Sequence, residues 1–143
     1  MEEDKLNKVI SVFFILTHFL IIILIVGFRM LGWYGKEDFQ VSLPIIAPIF
    51  ASFSTLIVLY IIENKNNTEK QDKMVSSMFV FISFFIPIVF LLFILLVLIK
   101  QAVTPVSIED FSTYLGISES VFGIYIGYIL KSLFKRENKP NNE

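Results

Sequence analysis

The sequence contains no cysteine, a single histidine and a single tryptophan. Without cysteine, neither a disulfide nor thiolate chemistry can arise. The sequence also lacks a cluster of metal ligands, a glycine-rich loop that could hold a phosphate, and a nucleophile paired with a base. We therefore expect a protein that is not an enzyme, holds no metal or cofactor, and makes no direct contact with nucleic acid.

Charge is also scarce: 17% of the residues are charged and 55% are hydrophobic, and the charges lie between long apolar runs. Runs of about 20 or more uncharged residues are long enough to cross a hydrocarbon core of about 30 Å. The sequence therefore predicts an all-α integral membrane protein, a single domain with four transmembrane helices and no room for a soluble catalytic domain. The predicted spans are residues 9–32, 41–62, 74–99 and 111–134, with a polar loop at 63–73 and a polar tail at 135–143.

The distribution of basic residues predicts the orientation. Four spans place both termini and the loop 63–73 on one side of the membrane. The only basic residues on the other side are Arg29, Lys36 and Lys100. By the positive-inside rule, the termini and this loop are cytoplasmic. The abundance of Ile, Lys, Asn and Phe is typical of proteins from AT-rich bacterial genomes. It therefore favours a bacterial inner membrane. A cytoplasmic anchor is predicted at the end of the fourth span, formed by Lys131, Lys135 and Arg136.

Small residues predict helix–helix contacts on two of the spans. In the fourth span, small and polar residues fall within an arc of about 100° on one helical face. Gly123 and Gly127 form a GxxxG pair, which allows another helix to approach closely. The predicted interface residues are Gly116, Ser120, Gly123 and Gly127 of the fourth span, and Ala47, Ala51 and Thr55 of the second. More small-residue faces than one protomer can cover favour a homo-oligomer.

Breaks in the predicted helices leave some boundaries open. Pro44, Pro48 and Pro87 are hinge candidates, although the second helix could instead begin near Pro44 or bend gently there. Two helix starts precede the fourth span, one at Thr104-Pro105 and one at Ser107–Asp110, which has the spacing of a capping box. If Gly116 breaks the helix, residues 107–115 form a short interfacial helix and the span runs from about residue 117 to 134.

His18 and Glu119 are ionisable residues that lie well inside the predicted spans, and both fall near the middle of the membrane if the fourth span is 111–134. An ionisable pair at that depth is costly unless it is bonded or hydrated, so the pair is our candidate for a pore-lining or proton site. Two structural interpretations stand beside it. His18 could be neutral and bonded to a neighbouring hydroxyl, or Glu119 could lie at the outer N-terminus of a helix.

In size and layout, the chain resembles the small four-span membrane subunits of bacterial anti-phage systems, such as the KwaA subunit of Kiwa. The resemblance covers the topology, the cytoplasmic termini and the missing catalytic domain, and it assigns no role to any residue. It implies a membrane subunit that acts in anti-phage defence.

Two functional hypotheses follow. The first is a homo-oligomeric pore-forming or scaffold/sensor subunit in the lipid bilayer, with a cytoplasmic protein partner at loop 63–73 or at the C-terminal tail. The second is a small proton-coupled transporter that uses Glu119 and His18. Transporters of this kind are commonly built from inverted repeats, and neither residue has a counterpart in the other half of the chain. The sequence therefore favours the first hypothesis.

Overall fold

A computed structural model describes residues 2–64 and 74–134, and this part of the chain forms four α-helices. They are α1 (Glu3–Met30), α2 (Lys36–Asn64), α3 (Ser77–Val103) and α4 (Ile108–Phe134). The all-α fold is confirmed, and three helices are long and apolar enough to cross a membrane: α1, α2 and α3. The helix α4 has a similar length but is not among these three.

The helices run alternately up and down around one core. An isolated bridge between Glu2 and Met74 places the starts of α1 and α3 side by side. At the opposite end, the Tyr34 hydroxyl donates a hydrogen bond to the carbonyl of Leu98 near the end of α3 (2.9 Å). Around the bundle the order is α1, α2, α4, α3, and α1 also contacts α4 across the core.

Local sequence determines where the helices end. Gly32 has a φ of 77°, which glycine adopts without strain, and it ends α1 before a tight turn into α2. The Ser107 hydroxyl accepts from the Asp110 backbone N–H (3.1 Å) and donates to the Asp110 carboxylate (2.7 Å), so it caps α4. The predicted start at Ser107–Asp110 is therefore confirmed. The helix then continues through Gly116 without interruption, so the predicted break there is wrong.

Pro44, Pro48 and Pro87 all lie within helices. The helix α2 begins at Lys36, before Pro44, so a helix start near Pro44 is wrong. Pro44 and Pro48 are exposed on the outside of the bundle, whereas Pro87 is buried within α3. Their role as hinges stays a prediction.

The core consists of three layers of side chains. The layer next to the α1–α2 and α3–α4 connections includes Ile25, Tyr34 and Phe111. The middle layer consists of Phe14, Ile57, Phe122 and Ile126. The third layer, near the start of α1, contains Leu6, Ile10 and Ile129. The side chains of α1 and α4 contribute to every layer, and His18 and Glu119 lie between the middle layer and the one nearest the connections.

Candidate functional site

The candidate site is the interior of the bundle around His18 and Glu119. The His18 side chain is 2% exposed and that of Glu119 is 1% exposed. Apart from the Tyr34 phenol, they are the only buried ionisable side chains among the residues whose side-chain burial the structure describes. A charged group costs several kcal/mol in such surroundings unless it is paired. A full charge on either side chain would therefore be costly, unlike a charge on the exposed residues at the helix ends.

Aromatic rings hold the imidazole of His18 in place. Its ring centroid lies 4.1 Å from that of Phe14, one turn earlier on α1. The rings of Phe50 from α2 and Phe122 from α4 are nearly parallel to it, at 5.8 Å and 5.5 Å. Phe90 from α3 contacts Phe122 at 5.8 Å. All four helices thus contribute an aromatic ring to this layer, which fixes the plane of the imidazole.

The hydrogen bonds of the two side chains are incomplete. Nδ1 of His18 lies 3.0 Å from the carbonyl oxygen of Phe14. In contrast, Nε2 of His18 and both carboxyl oxygens of Glu119 have no hydrogen-bond partner among the described residues. No direct hydrogen bond therefore joins His18 to Glu119. Since the described residues contain no group of three or more metal-ligating side chains, the pair does not belong to a larger ligand cluster there.

The predicted interface residues divide between the inside and the outside of the bundle. Gly123 lies at the contact between α2 and α4, where a Cβ atom would be 3.9 Å from the Ile49 side chain. A Cβ at Gly116 or at Gly127 would have no atom within 4 Å, and Ser120 is exposed. On α2, Ala47 is half-buried, whereas Ala51 and Thr55 are exposed. Most of these residues therefore have no helix packed against them within the protomer.

The predicted cytoplasmic elements are mostly not described. Lys135, Arg136 and the rest of the tail 135–143 lie outside the described residues, as does most of the loop 63–73. Lys131 lies in α4, but its side chain is not described. The anchor and the partner-binding role of these segments stay predictions.

A polar network that was not predicted from the sequence joins the two connections at one end of the bundle. The Gln101 amide donates to the Asp38 carboxylate (2.7 Å) and accepts from the Val106 backbone N–H (3.0 Å). The second Asp38 oxygen accepts from the Gly35 backbone N–H (2.7 Å). One signal was present: Gln101 is an amide at the end of a long apolar run, close to a proline.

Comparisons of the chain with protein-family models, with curated proteins and with solved structures give no match. The interpretation of the site therefore rests on its own geometry. The fold and the site define a helical bundle with three helices apolar enough to span a membrane and one buried histidine–glutamate pair.

Proposed function

We propose that the chain is a non-enzymatic, homo-oligomeric membrane subunit that forms a pore or a scaffold/sensor in a bacterial inner membrane. The observation that carries this proposal is the outward position of the small residues of α2. Pro44, Pro48, Ala51 and Thr55 are all exposed, on the side of α2 opposite its buried residues Ile46 and Ile57. We call these four residues the α2 outer surface.

In a bilayer, a surface of small residues favours packing against another helix. Lipid tails are as apolar as leucine, so helices associate through close van der Waals contact and weak hydrogen bonds, which small residues permit. The open space beside Gly116 and Gly127, with the exposed Ser120 between them, provides a second surface of this kind. We call these three residues the α4 groove. Contact between copies would cover both surfaces.

The proposal also includes a fourth membrane pass, made by α4. Glu119, which lowers the average hydropathy of α4, is buried inside the bundle, and Glu109 and Asp110 lie in the first turn, at the end of the helix. Among residues 111–129 of α4, the large exposed side chains are apolar or aromatic: Tyr114, Ile117, Val121, Ile124 and Tyr128. A helix that exposes such a strip can face lipid while its polar residues face protein. With four passes, the basic residues place both termini in the cytoplasm.

The resemblance to four-span subunits of anti-phage systems suggests the setting of this activity. Such a subunit can act on the membrane itself or recruit a partner. We propose that the loop 63–73 or the C-terminal tail receives a cytoplasmic protein and that the oligomer responds by opening or by reorganising in the membrane.

Leucine at Gly127 tests the oligomer. Because a Cβ at Gly127 meets no atom within 4 Å, the larger side chain fits a single bundle but would occupy the α4 groove. We expect Gly127→Leu to shift the mass of the purified protein in mild detergent or nanodiscs from an oligomer towards a monomer. Gly123→Leu should do the same, although it also presses on Ile49 within the protomer.

Two control variants separate this effect from general damage. Gly27 is also a helical glycine with no atom within 4 Å of a Cβ, and it lies on α1, away from both surfaces. Val121 is 47% exposed on the apolar side of α4. Gly27→Leu and Val121→Leu should leave the mass unchanged. An unchanged mass in all four variants, or a monomeric wild type, would refute the proposal.

A small proton-coupled transporter is the second candidate function, because His18 and Glu119 are buried together and have unpaired polar atoms. Intramembrane ionisable residues are frequently part of proton pathways. This candidate requires that the bundle open alternately towards the two sides, with Glu119 gaining and losing a proton during transport.

A further inference from the structure

The unpaired atoms of His18 and Glu119 require partners that the surrounding side chains do not provide. A buried polar atom without a hydrogen bond destabilises the folded state, and here three such atoms occur on these two side chains. In native proteins, groups of this kind are commonly satisfied by a buried water molecule with two to four polar partners. The geometry of each side chain shows which partner it needs.

The tautomer of His18 follows from its contact with Phe14. A carbonyl oxygen can only accept, so Nδ1, at 3.0 Å from it, carries the hydrogen. In a neutral imidazole, Nε2 is then an acceptor with a free lone pair. The ring is stacked on Phe50 and Phe122, with interplanar angles of 10° and 18°, so these two rings fix its plane. Nε2 therefore needs a donor from elsewhere.

Glu119 is the nearest ionisable group along α4. It precedes Phe122 by one helical turn on the buried side of α4, and the Phe122 ring stacks on His18 at 5.5 Å. Because α4 runs antiparallel to α1, the carboxyl group lies within about one turn of the level of His18. A protonated carboxyl group is a donor, whereas an ionised one is an acceptor only.

No other ionisable group competes for this position among the described residues. In this layer α2 contributes Phe50 and Phe53, and α3 contributes Phe90. Tyr125 of α4 packs against the middle layer, and its hydroxyl donates to the carbonyl of Ile82 (2.7 Å). The site thus combines one acceptor nitrogen, one carboxyl group and an apolar wall.

We propose that a water molecule bridges His18 Nε2 and the Glu119 carboxyl group, and that the two side chains hold one proton between them. The carboxyl O–H donates to the water, and the water donates to Nε2 and to the second carboxyl oxygen. Every unpaired atom of the pair then has a partner and no net charge is buried. The proposal concerns the residues on which the transporter candidate rests, but it requires neither transport nor an oligomer.

The only histidine of the chain provides a specific probe. In full-length protein with ¹⁵N-labelled histidine in nanodiscs, we expect one pair of ring resonances, with Nδ1 protonated and Nε2 an unprotonated hydrogen-bond acceptor. As Glu119 loses the shared proton during a titration, the Nε2 resonance should shift. In Glu119→Gln this shift should be absent, whereas Glu109→Gln, which changes an exposed carboxylate, should retain it.

Infrared spectroscopy gives a second measurement that needs no folded variant as its reference. Wild-type protein should show the carbonyl band of a protonated carboxylic acid, and a shift of this band to lower frequency in D₂O should show that the carboxyl proton exchanges with water. A wild-type tautomer with the hydrogen on Nε2, or the absence of a protonated carboxyl band, would overturn the proposal. So would identical titrations of wild type and Glu119→Gln. None of these outcomes depends on the mass measurement that tests the oligomer.

Discussion

Removing the Gln101 amide should loosen the end of the bundle where the two connections meet. Gln101 is 2% exposed, near the end of α3. Its amide nitrogen donates to Asp38 at the start of α2 (2.7 Å) and, more weakly, to the Val106 carbonyl (3.4 Å). Its oxygen accepts from the Val106 N–H (3.0 Å). One side chain thus joins α3, the start of α2 and the segment that leads into α4.

The expected loss follows from these three hydrogen bonds. A hydrogen bond to a carboxylate contributes about 1.5–3 kcal/mol and a neutral one about 0.5–1.5 kcal/mol. The contact at 3.4 Å lies at the weak end of this range. We therefore expect Gln101→Ala to lower the free energy of unfolding by about 2–4 kcal/mol. The fluorescence of Trp33, the only tryptophan, reports unfolding at this end of the bundle in a denaturant titration in detergent.

Two further variants test the reasoning. Gln40→Ala removes the same amide from an exposed position of α2, so it should change the free energy of unfolding by less than about 0.5 kcal/mol. Gln101→Glu keeps the shape of the side chain but places a carboxylate against Asp38, so it should destabilise the protein at neutral pH and less in acid. Equal stability of Gln101→Ala and Gln40→Ala would show that the network contributes nothing measurable.

Two other predictions concern Tyr34 and Glu119. Burial, and to a lesser extent the charge of Asp38, raise the pKa of the Tyr34 phenol. The hydroxyl therefore stabilises the folded state below about pH 10 and loses this effect as the pH rises further, so Tyr34→Phe should cost about 1 kcal/mol at neutral pH and reduce the alkaline decline in stability. A decline equal to that of wild type would contradict this. For the transporter candidate, Glu119→Gln should abolish a pH-dependent flux into liposomes while Glu109→Gln preserves it, and a flux unaffected by Glu119→Gln would exclude that candidate.

Much of the fold could be predicted because a membrane protein separates its charges from its apolar runs. The four runs correspond to the four helices, and the capping spacing at Ser107–Asp110 locates the start of α4. The boundaries were less accurate. The helices α1 and α2 begin before the predicted spans because they extend through charged residues, and α3 begins at Ser77 because Met74 pairs with Glu2 in extended backbone.

The site could be predicted only in part. Single ionisable residues in apolar runs are visible in a sequence, so His18 and Glu119 were identified. The rings around His18 come from four separate helices, and no periodicity indicates which of the 16 phenylalanines lie inside. Gln101 was missed for a similar reason, since its partners Asp38 and Val106 belong to different connections and meet only in the folded bundle.

Glu119 and the α2 outer surface lie in different places, so a pathway lined by Glu119 and a pathway between copies are two separate hypotheses. Glu119 is buried within one protomer, whereas Pro44, Pro48, Ala51 and Thr55 face away from that core. A pathway between copies that used the α2 outer surface would be lined by small side chains and by the Thr55 hydroxyl, which already donates to the Ala51 carbonyl (2.8 Å). Glu119 could line it only if the bundle itself opened. A conducting oligomer with an intact bundle should therefore be indifferent to Glu119, and sensitivity to Glu119 would place the pathway inside the protomer.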